Sequence, residues 1–367
     1  MNVPLMDLTA QYAALKSEID EAILSAVAGQ RFILGPEVET FEREISEYLG
    51  VKHAVGCASG TDALLLPLKA LKATQGYDVI VPSFTFFATA GAVWNAGFRP
   101  VFCDVDPETF NVTAESLEKV WTERTVAVVA VHLFGQMAPM REVRALARSR
   151  GAFVIEDTAQ AIGAKSIEGM AGTVGDAGSF SFFPTKNLGG YGDGGLVTTD
   201  DDDLADAIRK LRVHGGKRMY HHESVGFNSR LDAIQASILR VKLPYLNGWA
   251  DARRVNAQRY YEGLAESDSV RTPVVTEGNS HVYNQFTVRV GGGRRDELRQ
   301  FLADRSIGSG IYYPVPLHMQ DCFRDLGGRE GDLPVTEALC KEVLSLPIFP
   351  ELGESRQALV IDAIRSF

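Results

Sequence analysis

Cysteine is scarce in this sequence of 367 residues, and its four copies, Cys57, Cys103, Cys322 and Cys340, lie far apart without a CxxC pair. A framework of disulfides is not expected in a chain of this size. We therefore predict free, mostly buried thiols in a reducing cytoplasm. A long apolar run is also missing, because the longest, Val126–Val131, falls far short of the ~18 residues that span a bilayer.

The N-terminal stretch has no apolar core of the kind found in secretory signals and carries acidic residues early, so no such signal is expected. Basic residues are not in excess: 37 Lys and Arg against 47 Asp and Glu give a net charge of −10. The basic residues are scattered, which argues against a nucleic-acid partner. Apolar content of 45% and charged content of 23% exclude global disorder.

Short apolar segments alternate with amphipathic ones along the first two thirds of the chain, which predicts βαβ units. Such units form a mostly parallel sheet covered by helices on both faces. The predicted strands are His53–Cys57, Asp78–Val81, Pro100–Cys103, Val126–Val131, Ala152–Glu156, Ser179–Phe183 and Gly195–Thr199.

The length predicts two domains, at roughly 150 residues per domain. A helical stretch from about Arg230 to Leu264 is interrupted at Pro244, and a strand at Tyr283–Val290 follows it. We therefore predict a large domain over residues 1–245 and a small domain over 246–367. Residues 1–28 form a segment that could pack with the small domain.

The first of four candidate site features lies at Cys57–Ala63, where a strand ends and a helix begins at about Thr61. Ligands bind beyond the carboxyl ends of strands in open α/β sheets, and the N–H groups of a helix N-terminus can bind an anion. The same residues suit a helix cap formed by Ser59 or Thr61, which this segment taken alone favours over phosphate binding.

The second feature is Asp157, which ends an apolar strand. A carboxylate at such a partly buried position needs a cationic or N–H partner, and a protonated pyridine nitrogen would supply one. A cap on the next helix explains Asp157 equally well on this evidence.

The third feature is Lys186, a lone lysine between an apolar strand and a loop with five glycines. Such a lysine can lose its proton and form an imine with a carbonyl cofactor, although most lysines in loops are solvated. The fourth is Arg230, at the entry to the long helix, which could pair with a carboxylate or phosphate. The alternative is an ordinary arginine at a helix N-terminus, which the dipole slightly disfavours.

Two further patterns are weaker. Gly190–Gly194 is like part of a dinucleotide loop, but it lacks the GxGxxG spacing and a following acidic residue, which argues against a nicotinamide dehydrogenase. The adjacent His221 and His222 point in different directions, and no carboxylate or cysteine cluster follows them, which argues against a metal site. We predict no metal.

Taken together, these segments resemble the DegT/DnrJ/EryC1/StrS family of sugar aminotransferases. The resemblance runs nearly end to end. It is carried by Phe32–Glu37, Ser59–Asp62, Val131–Gly135, Glu156–Gln160, the Lys186 segment, Gly226–Gln235 and Tyr312–His318. It implies the type I, aspartate-aminotransferase-like fold of pyridoxal-phosphate enzymes: an α/β protein whose large domain has a mostly parallel sheet, with a smaller α/β C-terminal domain.

The resemblance also implies the residues that bind pyridoxal 5'-phosphate. Lys186 would form the imine with the cofactor and move the proton, and Asp157 would keep the pyridine nitrogen protonated. Gln160 would hydrogen-bond the phenolic oxygen, and Phe86 would stack on the ring. The phosphate would be bound by Gly60, Thr61, Ser181 and, from the partner subunit of a homodimer with shared active sites, Asn228.

The resemblance is strongest to enzymes that aminate C3 of a nucleotide-linked 3-keto sugar, especially UDP-2-acetamido-2-deoxy-3-oxo-glucuronate. It implies that the sugar nucleotide faces Arg230, Tyr312, Tyr313 and His318. Several of those enzymes have His before Tyr-Pro, whereas this chain has Tyr312 there. We predict transfer of the amino group of L-glutamate to a nucleotide-diphosphate keto sugar, for amino-sugar, O-antigen or other surface-polysaccharide synthesis.

Three alternatives to this reading exist. Within the family, the substrate could be a dTDP-linked 3- or 4-keto-6-deoxyhexose, or the enzyme could be a dehydratase. Dehydratase relatives replace the lysine with histidine, so Lys186 argues against that activity. A non-catalytic regulatory protein on the same fold is the alternative of another class, against which the intact set of Lys186, Asp157, Gln160 and Ser181 argues.

Overall fold

The computed structural model describes residues 2–71, 73, 76–218 and 220–367. Within those residues the helices are α1 (Thr9–Gly29), α2 (Pro36–Leu49), α3 (Gly60–Ala70), α4 (Phe87–Ala96), α5 (Ala114–Lys119), α6 (Met140–Ser149), α7 (Asp202–Leu211), α8 (Ala233–Lys242), α9 (Leu246–Leu264), α10 (Arg295–Ala303), α11 (Pro334–Glu342) and α12 (Glu354–Arg365). The strands are β1 (His53–Cys57), β2 (Asp78–Pro82), β3 (Arg99–Cys103), β4 (Thr125–Val131), β5 (Phe153–Asp157), β6 (Lys165–Ser166), β7 (Gly169–Met170), β8 (Ala177–Ser181), β9 (Gly195–Thr199), β10 (Val270–Arg271), β11 (Phe286–Val290) and β12 (Val343–Leu346).

Seven strands form the central sheet, in the order β1-β9-β8-β5-β4-β2-β3. The pairs from β8 through β5, β4 and β2 to β3 are parallel, and only β9 runs against its two neighbours. The predicted α/β class with a mostly parallel sheet is therefore confirmed. The predicted strand at Ser179–Phe183 begins two residues earlier, at Ala177, because residues 177–179 pair with the end of β5.

Helix α2 shows how local sequence builds the layer around this sheet. Gly35 adopts φ 86°, and Pro36 follows at the first helical position, where its missing N–H costs nothing. Val38, Phe41 and Ile45 recur at helical spacing and are buried. Each buried apolar side chain of this kind contributes about 1.5–3 kcal/mol.

The predicted long helical stretch is two helices. Pro244 lies in a 3₁₀ turn, Leu243–Tyr245, that separates α8 from α9. Helix α8 begins at Ala233 rather than near Arg230, because the residues before it are extended. The predicted start of the helical stretch, near Arg230, is therefore wrong, because the helix begins three residues later.

Helix α9 connects two sets of buried side chains. Its Ala250 packs in the core of the large sheet, whereas Tyr260 and Leu264 pack in a second core. That second core lies around the antiparallel sheet β10-β11-β12 and includes side chains of α10 and α12. None of the described helices is long and apolar enough to cross a membrane.

The N-terminal segment contacts both parts of the molecule. Val3 forms a parallel bridge with Ile307 and packs in the second core. Helix α1 instead packs through Leu15 and Ile19 on Ile238 of α8. Val3 therefore packs in the second core, whereas α1 packs on α8.

Segment 283–285, predicted as the start of a strand, is irregular. Tyr283 adopts φ 44°, and the strand begins at Phe286. The carbonyl of Gly135 accepts a hydrogen bond from Val282 N at 2.9 Å, and Phe134 O accepts one from Gln285 N at 3.4 Å. These residues bond to a loop of the large domain instead of to the small sheet.

The fold brings several strand ends to one edge of the large sheet. Strands β1, β5 and β8 end there, at Cys57, Asp157 and Ser181. Since β9 is antiparallel, it begins at the same edge, with Gly195 opposite both Cys57 and Ser181. Residues far apart in the sequence thus meet at a single edge.

Close packing within this sheet predicts that one of its glycines cannot be replaced by a larger residue without loss of stability. A Cβ at Gly178, in β8, would overlap the carbonyl oxygen of Gly172 and the hydroxyl of Thr198. We expect Gly178→Ala to lower the free energy of unfolding by about 1–3 kcal/mol or more.

The matched control is Gly248→Ala, since Gly248 lies in α9 with no atom within 4 Å of an added Cβ. Gly248→Ala is expected to raise the free energy of unfolding by up to about 1 kcal/mol. Thermal unfolding followed by circular dichroism compares the two, and equal melting temperatures would contradict this account of the packing.

Candidate active site

The turn between β1 and α3, here called the anion cradle, has a geometry that suits an anion. Ser59 caps α3, accepting a hydrogen bond from Asp62 N at 3.2 Å, so the predicted cap is confirmed. The first-turn N–H groups of Gly60 and Thr61 have no acceptor within the helix. The Ser59 cap uses only the N–H group of Asp62, so the N–H groups of Gly60 and Thr61 stay available for an anion.

Ser181 closes the cradle from the end of β8. A Cβ placed on Gly60 would lie 2.6 Å from Ser181 Cβ and 2.9 Å from Ser181 Oγ. A Cβ on Gly195 would overlap the carbonyl of Ser59. Glycine at both positions lets N–H groups and a hydroxyl converge, which suits the phosphate of a cofactor.

Asp157 lies at the end of β5 and is only 6% exposed. Its carboxylate accepts hydrogen bonds from Thr89 Oγ1 at 2.8 Å and from Ala159 N at 3.2 Å. Burial raises the pKa of Asp157, although the two hydrogen bonds and the charge of Lys186 oppose that rise. A cation at this carboxylate would relieve the cost of burying it.

The alternative role for Asp157, a cap on the next helix, is wrong. Turns and the short hairpin β6-β7 follow β5, and the next α-helix along the chain is α7, which begins at Asp202. Its bond to Ala159 N is a local turn. Thr89, in the first turn of α4, is a site residue that the sequence did not reveal, because a threonine in a helix has many commoner roles.

Lys186 follows β8, and its backbone N–H donates to Phe183 O at 2.9 Å. Burial lowers the pKa of Lys186 to about 8, although the Asp157 carboxylate raises it in part. At neutral pH a larger share of this amine is therefore uncharged than in a solvated lysine. Lys186 is half-buried, so it is less solvated than an ordinary loop lysine.

The glycine loop after Lys186 folds tightly against α8. Gln235 Oε1 accepts from Tyr191 N at 2.7 Å. Lys242 Nζ donates to Gly189 O at 2.7 Å and lies 4.3 Å from the centre of the Tyr191 ring. The glycines thus serve close packing between the loop and α8.

Gln160 lies beside Asp157 and is held at both ends of its amide. Its Oε1 accepts from Phe134 N at 2.7 Å, and its Nε2 donates to Tyr313 Oη at 3.0 Å. Phe86, at the N-cap of α4, is 57% exposed, and its ring centre lies 6.1 Å from that of Tyr313. The structure therefore brings Gln160, Tyr313 and Phe86 together at the open edge of the sheet.

The late loop, Tyr312–His318, reaches the large domain. His318 is 3% exposed, and its Nδ1 lies 2.8 Å from Ser83 Oγ while its Nε2 lies 3.2 Å from Glu337 Oε1. Both ring nitrogens are thus engaged within the protein. Tyr312 is half-buried.

The predicted pair Asn228 and Arg230 lies before α8. Arg230 donates to the side-chain oxygen of Asn228, which is exposed. Between them Ser229 is buried and donates to Asp62 at 2.7 Å. This bond fixes the segment against the first turn of α3, close to the cradle.

Glu156, the neighbour of Asp157, was not predicted as a structural residue. It is fully buried and accepts from His132 Nε2 at 2.7 Å and from the N–H groups of Gly172 and Val174 at 2.9 and 2.7 Å. Burial would raise the pKa of Glu156, but these bonds hold it below its ordinary value. In the described part of the chain, no group of three His, Cys, Asp or Glu side chains could hold a metal ion.

This arrangement agrees with comparison to known proteins. The model of the DegT/DnrJ/EryC1/StrS aminotransferase family matches residues 13–365. The chain belongs to this family. The predicted family, the enzyme class and the dependence on pyridoxal phosphate are therefore confirmed, and the cradle, Asp157 and Lys186 fit that cofactor.

Three relatives of this aminotransferase match over nearly their whole length. The chain is 48% identical to a pleiotropic regulatory protein of Geobacillus stearothermophilus, over 100% of this chain and 99% of that one. It is 46% identical to a UDP-N-acetyl-3-dehydro-alpha-D-glucosamine 3-aminotransferase of Acidithiobacillus ferrooxidans, over 99% and 97%. It is 42% identical to a dTDP-3-amino-3,4,6-trideoxy-alpha-D-glucose transaminase of Streptomyces venezuelae, over 100% and 96%.

A solved structure shows the same fold. The S. venezuelae protein DesV is 42% identical in sequence and superposes with a TM-score of 0.96. The match covers 100% of this chain and 98% of the DesV chain. The predicted type I fold is therefore confirmed over the full length of the aminotransferase.

The lowered pKa of Lys186 predicts how the cofactor-free enzyme captures pyridoxal phosphate. Imine formation needs the uncharged amine, so the rate should rise with pH, reach half its maximum near pH 8, and level off above that. Stopped-flow absorbance measures this rate. A rate that keeps rising through pH 10 would contradict the assigned environment. Borohydride reduction and peptide mapping supply the internal control, because Lys242 also has a pKa of about 8 but should carry no adduct.

Proposed function

We propose that this aminotransferase moves the amino group of L-glutamate to a keto group of a nucleotide-diphosphate sugar, at C3 of a UDP-linked 3-keto sugar. The observation that carries the proposal is the pairing of a buried carboxylate, Asp157, with a lysine of lowered pKa, Lys186, beside an anion cradle. The relative named as a UDP-N-acetyl-3-dehydro-alpha-D-glucosamine 3-aminotransferase supports the choice of nucleotide and carbon.

Each residue that faces the cofactor has a separate role in this proposal. When bound, pyridoxal phosphate supplies a carbonyl that takes up the amino group and a ring that accepts electron density. Asp157 would hold a proton on the ring nitrogen, and Lys186 would hold the cofactor through its Nζ and supply the amine that moves a proton. Gln160 would donate to the phenolic oxygen, and Phe86 would cover the ring. Gly60, Thr61 and Ser181 would hold the phosphate.

On the substrate side we assign Arg230 and Tyr312 to the sugar nucleotide. Arg230 is half-buried beside the exposed Asn228, and its guanidinium can pair with a phosphate or carboxylate. His318 supports the late loop instead, because both its nitrogens are engaged. The hydroxyl of Tyr313 is likewise engaged, with Gln160.

The active sites are shared across a homodimer in this proposal. Asn228 is exposed and would reach the phosphate of the partner subunit's cofactor. Large apolar side chains are exposed on α4 and shortly before Lys186, among them Phe87, Trp94 and Phe183, as expected of a surface that becomes covered. The four cysteines are free, which supports a reducing, cytoplasmic location.

Two alternatives each have a specific observation in their favour. The relative named as a dTDP-3-amino-3,4,6-trideoxy-alpha-D-glucose transaminase favours a dTDP-linked 6-deoxy sugar. The relative named as a pleiotropic regulatory protein favours a regulatory role. The buried carboxylate of Asp157 supports chemistry over regulation alone, because an unpaired buried charge without a function would only destabilise the protein.

A panel of keto sugars tests the function. Purified enzyme with pyridoxal phosphate and glutamate is incubated with UDP- and dTDP-linked 3-keto and 4-keto sugars, and products are identified by mass. We expect amination of UDP-linked 3-keto sugars with the largest kcat/KM, and no turnover by Lys186→Ala as the matched control. Preference for a dTDP-linked sugar would overturn the substrate proposal, and absence of turnover with every sugar would overturn the catalytic one.

Mixed dimers test the shared site. Lys186→Ala disables the chemistry of one subunit, and Arg230→Ala weakens substrate binding by raising KM. If Arg230 serves the partner's site, a mixed dimer has one site with both defects and one intact site. At low substrate, mixing two nearly inactive variants should restore about a quarter of wild-type activity under statistical exchange. No recovery, with subunit exchange shown by mass, would mean that Arg230 serves its own subunit.

A further inference from the structure

The amide of Gln160 can adopt only one orientation. Phe134 N–H can only donate, and it lies 2.7 Å from Gln160 Oε1. The amide oxygen must therefore face Phe134, and the NH2 group faces Tyr313 Oη at 3.0 Å. A flipped amide would place two donors against each other.

The donor that fixes this amide is itself held rigidly. Phe134 adopts φ 59°, a conformation uncommon for a bulky residue. Before it, Leu133 N donates to Asn111 Oδ1 at 3.0 Å. After it, Gly135 accepts from Val282 N at 2.9 Å, and a Cβ on Gly135 would lie 2.9 Å from a backbone nitrogen of the small domain. These contacts on both sides hold the Phe134 N–H in position.

Tyr313 holds the other end of the amide. Its ring lies between Phe84 and Phe86, with ring centres 6.4 and 6.1 Å away. Burial and the nearby Asp157 raise the pKa of Tyr313, so its hydroxyl stays protonated at every working pH. The tyrosine oxygen accepts one hydrogen of the Gln160 amide. The second amide hydrogen and the tyrosine's own proton have no hydrogen-bond acceptor among the described residues.

We propose that Tyr313 is a positioning residue of the cofactor site that acts through Gln160, instead of a contact to the sugar. It fixes the amide so that the remaining N–H of Gln160 is directed at the cofactor's phenolic oxygen. This inference rests on the assignment of Gln160 in the proposed function. It goes beyond that assignment by giving a residue of the late loop, which belongs to the C-terminal part of the chain, a role in setting the electronic state of the cofactor.

Tyr313→Phe removes one hydroxyl and keeps the ring packing, and the test reads the cofactor directly. We expect its dissociation constant for pyridoxal phosphate to rise about fivefold, as for the loss of one hydrogen bond. With weaker donation, the phenolic oxygen keeps more negative charge and holds the neighbouring proton more tightly. The midpoint of the pH-dependent visible absorbance should therefore move up by about 0.5 unit. KM for the sugar nucleotide should stay within about twofold of the wild type.

Tyr312→Phe is the matched control for the absorbance, because it removes a hydroxyl from the neighbouring residue, which has no hydrogen bond to Gln160. Its absorbance midpoint should equal that of the wild type. A raised KM for the sugar in Tyr313→Phe, without any shift of the absorbance, would overturn the proposal and return Tyr313 to the substrate.

The double variant shows whether Tyr313 acts through Gln160. In a Gln160→Ala background, adding Tyr313→Phe should cause no further shift of the absorbance midpoint. A shift that persists would overturn the proposal, because Tyr313 would then act on the cofactor directly. If Gln160→Ala alone leaves the midpoint unchanged, the assignment of Gln160 itself fails, which is a separate result from failure of the Tyr313 role.

Discussion

The carboxylate of Asp157 is buried at the end of a central strand with two hydrogen-bond donors and no ion-pair partner among the described side chains. Burying a charge without a cation is costly, and burial also lowers the pKa of the nearby Lys186 amine. In the function that we propose, a cofactor with a protonated ring nitrogen at one end and a carbonyl at the other would satisfy both groups together. The buried carboxylate that costs stability in the free protein would then also select the cofactor.

Glu156 and Asp157 show how one strand serves both structure and chemistry. Successive residues of a strand point to opposite faces of the sheet. On one face, the carboxylate of Glu156 accepts hydrogen bonds from His132 and from loop N–H groups, and so fixes those loops to the sheet. On the other face, the carboxylate of Asp157 can still accept a hydrogen bond from a ligand. The carboxylate of Glu156, with several hydrogen-bond donors, stabilises the fold, and the carboxylate of Asp157, with two, is the one to which we assign the cofactor.

Much of this could be predicted from the sequence, because the signals are local. Alternating apolar segments predicted the parallel sheet, and strand ends pointed to Asp157 and Lys186. The missing parts depend on long-range contacts, such as Thr89 against Asp157 or His318 against Ser83 and Glu337. No local pattern distinguishes such residues from ordinary polar ones. The start of α8 was misplaced for a similar reason, since the extended segment before it is set by a tertiary contact from Ser229.

The turnover of Asp157→Asn tests the central claim most directly. The amide keeps the size of the side chain and its bond to Thr89, but it cannot hold a proton on the ring nitrogen. We expect kcat to fall by at least about 10²-fold. The melting temperature of the cofactor-free variant should stay the same or rise, because a buried carboxylate is removed. Turnover within a few-fold of the wild type, in a variant that still binds cofactor, would contradict the account.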